Sequence, residues 1–232
     1  MKYKLIVVLL LTLTANFSFG QKKPYFTNGS DFIFSYGLAT DSSGADVTSN
    51  LRFSGWYHAN ELLNIDFSKS AGFVTGLGLA NVGMITRPGV GIIVKQRAYS
   101  LGVPVAFRFG DLDRKRFFTV GAEGELMLDY KEKVFKDGKK VQKHHEWLSN
   151  NSNLLNPAVF LKYQKKSVYV CAKYYLMDFF KPSDIKIDEI SFIPAFPKTS
   201  QIFYISIGYS GKGKSKGNKI NAPAPPKKVN RT

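Results

Sequence analysis

The chain has a single cysteine, Cys171, among its 232 residues. One cysteine excludes an internal disulfide, so a small secreted scaffold held together by disulfides is ruled out. Cys171 also lies far from the N-terminus, which excludes a lipoprotein anchored through an N-terminal cysteine. An exported chain of this composition must take its stability from a large core or from a membrane.

The chain also lacks an apolar run long enough for a membrane-spanning helix, which needs about 20 residues. The apolar run over residues 5–13 is too short, and it follows two lysines. Small residues, Ser18 and Gly20, stand three and one positions before a cut ahead of Gln21. These features are typical of a secretory signal peptide, which we predict over residues 1–20 with cleavage after Gly20.

Acidic residues are absent after Gly211, although the whole chain carries a formal net charge of +16. This composition, rich also in Gly and Pro, predicts a disordered basic periplasmic tail over residues 211–232. An exported chain seldom meets nucleic acid, so we expect none as a partner. The alternatives are a solvated end, which is the simpler interpretation, and binding to a periplasmic protein or an anionic surface. Seven basic residues would carry that binding: Lys212, Lys214, Lys216, Lys219, Lys227, Lys228 and Arg231.

The most informative stretch runs from residue 97 to residue 129 and alternates apolar with polar side chains. Successive side chains in a strand point to opposite faces, so the pattern predicts a hairpin with one apolar and one polar wall. The polar wall carries Arg108, Glu123, Glu125 and Asp129. The apolar wall comprises Tyr99, Leu101, Val103, Val105, Phe107, Phe109, Phe118, Val120, Ala122, Gly124, Leu126 and Leu128.

Similar alternation along the chain predicts about eight strands, the first of them after a turn at residues 28–30. Short turns are expected between strands two and three, four and five, and six and seven. Longer connections are expected elsewhere, with residues 87–91 the shortest of them. Alternating short turns and long loops is typical of outer-membrane barrels, with the turns in the periplasm. The predicted strands are 32–38, 51–67 (one strand or a long bent one), 72–85, 92–109, 117–130, 159–163, 168–176 and 203–209, and the longer loops are 41–49, 131–156 and 181–199.

A sheet can cross hydrocarbon only if it closes on itself, because every backbone polar group then finds a partner. The span from Tyr99 to Phe109 matches the roughly 9 to 11 tilted residues that a crossing needs. We therefore predict an all-β fold, an antiparallel up-and-down transmembrane β-barrel over residues 21–210. Aromatic girdles are expected from Tyr99 and Tyr130 at the outer end, and from Phe107, Phe109, Phe117 and Phe118 at the inner end.

Two segments, residues 64–85 and 99–104, resemble the small outer-membrane β-barrel proteins of Gram-negative bacteria, the broad group that includes the PorT-like barrels. The resemblance implies a barrel of eight or slightly more strands. It implies no catalytic residue for this chain. Together with the signal peptide, it predicts a location in the bacterial outer membrane, with outer-membrane lipid as the partner and no cofactor.

The polar side chains predict a cluster in the barrel lumen, formed by Arg108, Glu123, Glu125, Asp129 and Lys173. The two glutamates could act as an acid pair, or all five residues could form a structural ion-pair network. A small barrel is filled by its own side chains and buried charges need partners, so we favour the structural interpretation.

Other motifs are weak. Gly76-x-Gly78 lacks the third glycine and the helix of a dinucleotide-binding loop. Residues 144–146, His-His-Glu, point alternately apart with no further ligand nearby, which favours a solvated loop over a metal site. Cys171 is expected to pack as a small lumen residue, since no histidine partner for a nucleophile is predictable.

Three functions stay open. We favour a non-enzymatic barrel with a structural, adhesion or secretion-accessory role, because no catalytic motif is present and the loops are polar. A soluble periplasmic barrel binding an apolar ligand would instead turn the apolar wall inward. A lipid-modifying barrel enzyme, like lipid A deacylases or acyltransferases, would need His58 to pair with a serine and an acid. A porin is disfavoured, because eight strands leave an interior that side chains fill.

Overall fold

The computed structural model describes residues 23–187 and 191–212, and all regular elements among these residues are β-strands. In this described part, no helix is long and apolar enough to cross a bilayer. The predicted signal peptide and the basic tail beyond Lys212 lie outside the described residues. The strands are β1 (Tyr25–Thr40), β2 (Asp46–Asn50), β3 (Arg52–Ser54), β4 (Ala59–Asp66), β5 (Ala71–Gly89), β6 (Ile92–Asp111), β7 (Arg116–Lys136), β8 (Lys139–Trp147), β9 (Leu155–Lys165), β10 (Val168–Tyr175), β11 (Ser183–Lys186), β12 (Phe192–Phe196) and β13 (Thr199–Lys212).

Eight of these strands close into a ring. Each of β1, β4, β5, β6, β7, β9, β10 and β13 pairs antiparallel with its neighbours in that order, and β13 returns to β1. The closing ladder is long, from Thr27 opposite Lys212 to Thr40 opposite Thr199. This confirms the prediction of an all-β, antiparallel up-and-down barrel of about eight strands. Gly211 and Lys212, which we assigned to the tail, continue β13.

The stagger of the strands fixes the width of the barrel. A path of paired residues that starts at Tyr25 returns to β1 at Ser35, ten residues farther along. Eight strands with a stagger of ten residues give a tilt of about 40° and a backbone radius of about 8 Å. An interior of that width is filled by side chains. The path runs through Asn64, Val74, Ala106, Gly121, Phe160, Lys173 and Tyr204.

The two walls of the central β6–β7 hairpin face as the membrane interpretation requires. Val103 and Val105 lie on the outside and are 47% and 52% exposed, whereas Arg108 and Glu125 lie inside at 4% and 1%. The alternative of a soluble barrel needed the opposite arrangement. Its expectation of an inward apolar wall is therefore wrong for this hairpin.

Short turns and long loops lie at opposite ends of the barrel. The turn end holds the connections 67–70, 112–115 and 166–167, the beginning of β1 and the end of β13. The loop end holds the other connections, and these are more regular than we expected. Residues 131–156 are not a long loop, because β7 continues to Lys136 and pairs with β8. Residues 181–199 contain the β11–β12 hairpin, and residues 41–49 contain a tight turn followed by β2.

The first two strands and one turn also differ from expectation. Residues 28–30 form no turn but lie inside β1, because they pair with both β13 and β4. The second barrel strand is broken into β2, β3 and β4, with residues 55–58 bulging between the last two. Tyr57 in this bulge has a φ of 65°, a value that breaks the extended backbone. The turn expected at 87–91 shrinks to Val90 and Gly91, where Gly91 has the positive φ that a tight hairpin turn needs.

A bulge in β7 reverses the alternation near the loop end. Tyr99 pairs with Asp129 but the next residue of β6, Ser100, pairs with Met127, which leaves one residue of β7 over. Tyr130 consequently points into the lumen and is 1% exposed. Phe117 is also buried inside, because it shares the inward face of β7. Placing Tyr130 and Phe117 in the aromatic girdles was therefore wrong.

Candidate functional site

Three of the five predicted lumen residues meet in one ion-pair cluster. Lys173 on β10 donates hydrogen bonds through Nζ to Glu123 Oε2 at 2.6 Å and to Glu125 Oε1 at 2.8 Å. The Tyr175 hydroxyl donates to the other oxygen of Glu125 at 2.8 Å. The two glutamates lie on β7, two strands away round the ring, so the lysine bridges the lumen. Both carboxylates of the predicted acid pair are thereby bound to one cation.

Arg108 belongs to a second cluster nearer the turn end. It forms a buried ion pair with Asp66 of β4 and donates a hydrogen bond to the Tyr25 hydroxyl at 3.2 Å. Its guanidinium lies over the Phe117 ring, 5.2 Å from the ring centroid. Packing on an aromatic face adds to the stabilisation of this buried cation. Arg108 and Lys173 therefore occupy different levels of the lumen.

Asp129 lies at the loop end, apart from the other four predicted residues. Its carboxylate binds His145 Nε2 on the outer face of the β7–β8 pairing, so this end of β7 is held to the β8 hairpin. Close by, Gln96 Nε2 donates to the Tyr130 hydroxyl at 3.0 Å and to Glu132 Oε2 at 3.1 Å. The β7 bulge places Asp129 on the outer face, directly opposite Tyr99, so predicting it as a lumen residue was wrong. The other four predicted residues face the lumen, where they form two clusters at different levels.

Several members of these clusters were missed, and a pattern was present for some of them. Asp66 alternates with Ile65 and Phe67, which marks it as an inward residue of β4, and Tyr175 shares the face of Lys173. Which inward residue meets which across the lumen depends on the stagger of the strands. Single-strand alternation carries no information on that stagger. His145 is a separate case, because β8 was expected to be a loop.

Two cavities border these clusters. One of about 770 Å³ opens at the turn end beside Asp66 and Arg108, and another of about 80 Å³ adjoins Lys173. The larger cavity has charges of both signs, including Glu61 and Lys115. Between Lys173 and the loop end, buried side chains fill the lumen of the described barrel: Met84, Met127, Tyr130, Tyr175, Phe179, Phe180 and Ile202. The larger cavity therefore ends as a pocket on the turn side of this plug.

His58 lies next to a serine, Ser54, and an acid, Asp31. His58 Nε2 lies 3.1 Å from Ser54 Oγ, and Nδ1 lies 2.7 Å from the carbonyl oxygen of Asp31 and 3.9 Å from its carboxylate. Ser54 and His58 are 6% and 5% exposed and line neither of the two cavities. The observed contacts instead fix the bulge of residues 55–58 to β1.

The remaining motifs occupy ordinary structural positions. Cys171 points into the lumen and is 7% exposed, as predicted. His144 and His145 lie on opposite faces of β8, the first near Glu146 and the second on Asp129. Among the described residues, no group of three or more His, Cys, Asp or Glu side chains could hold a metal ion.

Comparison with known proteins finds similarity only at the level of folds. No family model and no curated protein matches the chain. Ail of Yersinia pestis, solved with the heparin analogue sucrose octasulfate, is 12% identical with a TM-score of 0.41, over 82% of this chain and 100% of that one. Neisserial surface protein A is 13% identical with a TM-score of 0.36, over 84% of this chain and 99% of that one.

A third solved structure, the outer-membrane protein OprG of Pseudomonas aeruginosa, is 12% identical with a TM-score of 0.36, over 82% of this chain and 96% of that one. Such low identities and TM-scores assign neither a family nor a ligand to this chain. Membership in the PorT-like group stays a prediction.

Proposed function

We propose that this chain is a non-enzymatic outer-membrane β-barrel with a structural, adhesion or secretion-accessory role. The observation that carries the proposal is a closed barrel with an apolar band around its outer surface and, at the level of that band, buried charges in the lumen. Soluble monomers rarely expose contiguous apolar patches larger than a few hundred Å². Here exposed apolar side chains occur on the barrel strands β1, β5, β6, β7, β9, β10 and β13: Phe26, Phe32, Leu38, Leu77, Leu79, Leu101, Val103, Val105, Phe107, Phe109, Phe118, Val120, Val159, Leu161, Tyr163, Val168, Val170, Tyr174, Phe203, Ile205, Ile207 and Tyr209.

The height of this apolar band supports a membrane. On β7 the outward residues stay apolar from Phe118 to Leu128, which corresponds to about 25 Å along the barrel axis at the estimated tilt. Aromatic rings lie at the turn-end edge of the band. Phe109 stacks on Phe118 with centroids 5.7 Å apart, and Phe118 contacts Tyr163 at 4.8 Å. An apolar band of this height with an aromatic edge matches the hydrocarbon core and its interface.

The proposed orientation places the turn end in the periplasm and the loop end outside. Short periplasmic turns and longer external segments are the rule for such barrels. The paired β7–β8 and β11–β12 hairpins then lie on the outer side, where they form structured surfaces. Of the three roles, this favours adhesion, since folded external hairpins offer a defined surface to a partner.

Membrane fractionation tests the location. The full-length chain, expressed with its N-terminus intact, is expected in the outer-membrane fraction and soluble only in detergent. Unboiled samples are expected to migrate faster on gels than boiled ones, because the closed barrel resists denaturation. A version ending at Lys198, which lacks the closing strand β13, serves as the control without a folded band. Recovery of the intact chain in the aqueous fraction without detergent contradicts the proposal.

Epitope insertion tests the orientation. A tag placed between Asp137 and Gly138, in the β7–β8 turn, is expected to be labelled on intact cells. The same tag between Lys166 and Ser167, in a turn-end connection, is expected to be labelled only after permeabilisation. The reverse result contradicts the proposed orientation while leaving the membrane location intact.

A further inference from the structure

Basic side chains form a two-row grid on the outer surface just above the apolar band. In the upper row, Lys95 of β6 is directly opposite Lys133 of β7, and Lys133 is directly opposite Lys143 of β8. In the lower row, Arg97 is opposite Lys131, and Lys131 is opposite His145. We name the five residues Lys95, Arg97, Lys131, Lys133 and Lys143 the basic grid.

Like charges directly opposite each other destabilise a sheet. The basic grid therefore does not stabilise the fold, and its presence calls for another explanation. Among the described contacts, none of its five side chains is hydrogen-bonded to or ion-paired with a carboxylate. The nearest acid, Asp129, lies beneath the lower row and is already bound to His145. The missing negative charge must come from outside the described chain.

The position of the grid indicates where that charge lies. Arg97 and Lys95 lie on the same outer face of β6 as Tyr99. They are about 5 and 10 Å nearer the loop end than Tyr99, measured along the barrel axis at the estimated tilt. The interfacial layer of a bilayer is on the order of 5 to 8 Å thick on each side, and Tyr rings are common at its inner boundary. The guanidinium of Arg97 lies over the Tyr99 ring at 4.6 Å, and Lys95 Nζ lies over the Phe135 ring at 4.9 Å. Both cations are thereby held at head-group height.

The charge is not a general property of the loop end. On the strands β1, β10 and β13, the corresponding outward positions are uncharged and pair with each other. Thr40 and Thr199 are joined by a hydrogen bond of 2.8 Å, and the Tyr174 hydroxyl donates to Gln201 at 2.9 Å. Among the described residues, the side formed by β6, β7 and β8 thus presents rows of cations that the β1–β10–β13 side lacks. A ligand of this grid therefore binds one side of the barrel.

We propose that the basic grid binds the phosphate groups of a phosphorylated outer-leaflet lipid against the β6–β8 side of the barrel. The proposal rests on the outer-membrane location proposed above and deepens it by naming the lipid chemistry. Phosphates satisfy several ammonium or guanidinium groups at once and relieve the repulsion between the rows. A lipid is favoured over a soluble anion because the lower row borders the apolar band, where acyl chains lie beside Leu101.

The test uses the full-length barrel folded in neutral detergent, with bisphosphorylated lipid A as the probe and its dephosphorylated form as the matched ligand. Binding is measured by the anisotropy of a fluorescent lipid. The variant carries K95Q, K133Q and K143Q. Its control carries K115Q, K165Q and K166Q, an equal loss of charge at the turn end. Each interfacial lysine contributes about fivefold, so the grid variant is expected to bind on the order of a hundredfold more weakly. The control is expected to bind like the parent.

Three results overturn the proposal: equal weakening in both variants, equal affinity for the dephosphorylated lipid, or loss only of binding to a soluble polysulfated glycan. The last result indicates a surface for a free polyanion instead. Faster migration of unboiled samples is checked for every variant first, so that a barrel that failed to fold is recognised. If the parent folds and fractionates with the membrane but ignores lipid A, the lipid proposal fails while the proposed location stands.

Discussion

The β6–β7 hairpin carries cations in two settings that obey different rules. Inside the barrel, Arg108 is bound to Asp66, and the lysine that reaches this hairpin from β10 is bound by both Glu123 and Glu125. Outside, Arg97 and Lys131 stand opposite each other with only a π-contact and no bound carboxylate. A buried charge without a partner costs several kcal/mol, whereas an exposed one costs little. An ion-pair partner therefore matters more inside than outside, which leaves the outer cations available to a ligand.

The largest effect is expected from breaking the interior pairing. Lys173→Met leaves two buried glutamates uncompensated and should cost about 3 to 5 kcal/mol in the free energy of unfolding, measured by urea titration in detergent. Lys162→Met is the control, because the Lys162 ammonium lies over the Tyr169 ring at 5.0 Å without a bound carboxylate. Equal losses in the two variants contradict the importance of the ion pair.

The next effect comes from placing an unpaired charge in the apolar band. Val103→Arg should cost about 2 to 4 kcal/mol, because the guanidinium would face hydrocarbon near mid-depth. The same change at Val141 on β8, which is 44% exposed beyond the band, should alter stability by no more than about 0.5 kcal/mol. If Val103→Arg assembles in lipid vesicles and unfolds like the parent, the outer face has been misassigned.

A smaller difference in stability is expected between glycine-to-alanine changes inside and outside the barrel, which leave the charge unchanged. A Cβ added at Gly121 would lie 2.3 Å from the Ala106 Cβ, whereas one added at Gly124 meets nothing within 4 Å. Gly121→Ala should therefore cost about 1 to 3 kcal/mol through overpacking, and Gly124→Ala should be neutral or slightly stabilising. Thermal unfolding in detergent measures both. If Gly121→Ala leaves the stability unchanged, the lumen beside Ala106 is not as tightly packed as inferred.

The smallest effect concerns the basic grid in the absence of lipid. Lys133→Gln removes the central cation of the upper row and should stabilise the barrel by about 0.2 to 1 kcal/mol at low salt in neutral detergent. The gain should shrink as salt screens the remaining charges. Lys181→Gln, outside the β-strands, serves as the control and should change nothing measurable. A loss of stability at low salt would contradict the repulsion inferred between the rows.

Local alternation was sufficient to predict the walls of the hairpin and the number of strands. Val103 and Phe107 face outward, and Glu125 and Lys173 face inward, as the two-residue period requires. The prediction failed where the period is interrupted. The bulge beside Asp129 turns Tyr130 inward, and the break around residues 55–58 divides the second strand. Neither interruption has a glycine or proline signal strong enough to place it.

Four of the five predicted charges face inward, but their arrangement was not predictable, and the β7 bulge turns the fifth, Asp129, outward. Arg108 and Lys173 share the polar lumen, yet the ten-residue stagger of the ring places them at different levels. The β8 hairpin was missed because its polar sequence has no apolar face to bury. The basic grid was missed with it, since the grid exists only where β8 lies beside β7.

The sequence by itself determined the alternation of apolar and polar residues, the absence of an internal disulfide and the absence of an apolar run long enough for a spanning helix. These properties predict an all-β chain with one apolar and one polar wall. Those properties are local, because a side chain's face depends only on its position along its own strand. Only the tertiary structure decided which wall faces outward around the closed ring and which charges pair. It also decided which lysines face each other across neighbouring strands. Closure and stagger couple residues far apart in the chain, and they are set by all eight strands together.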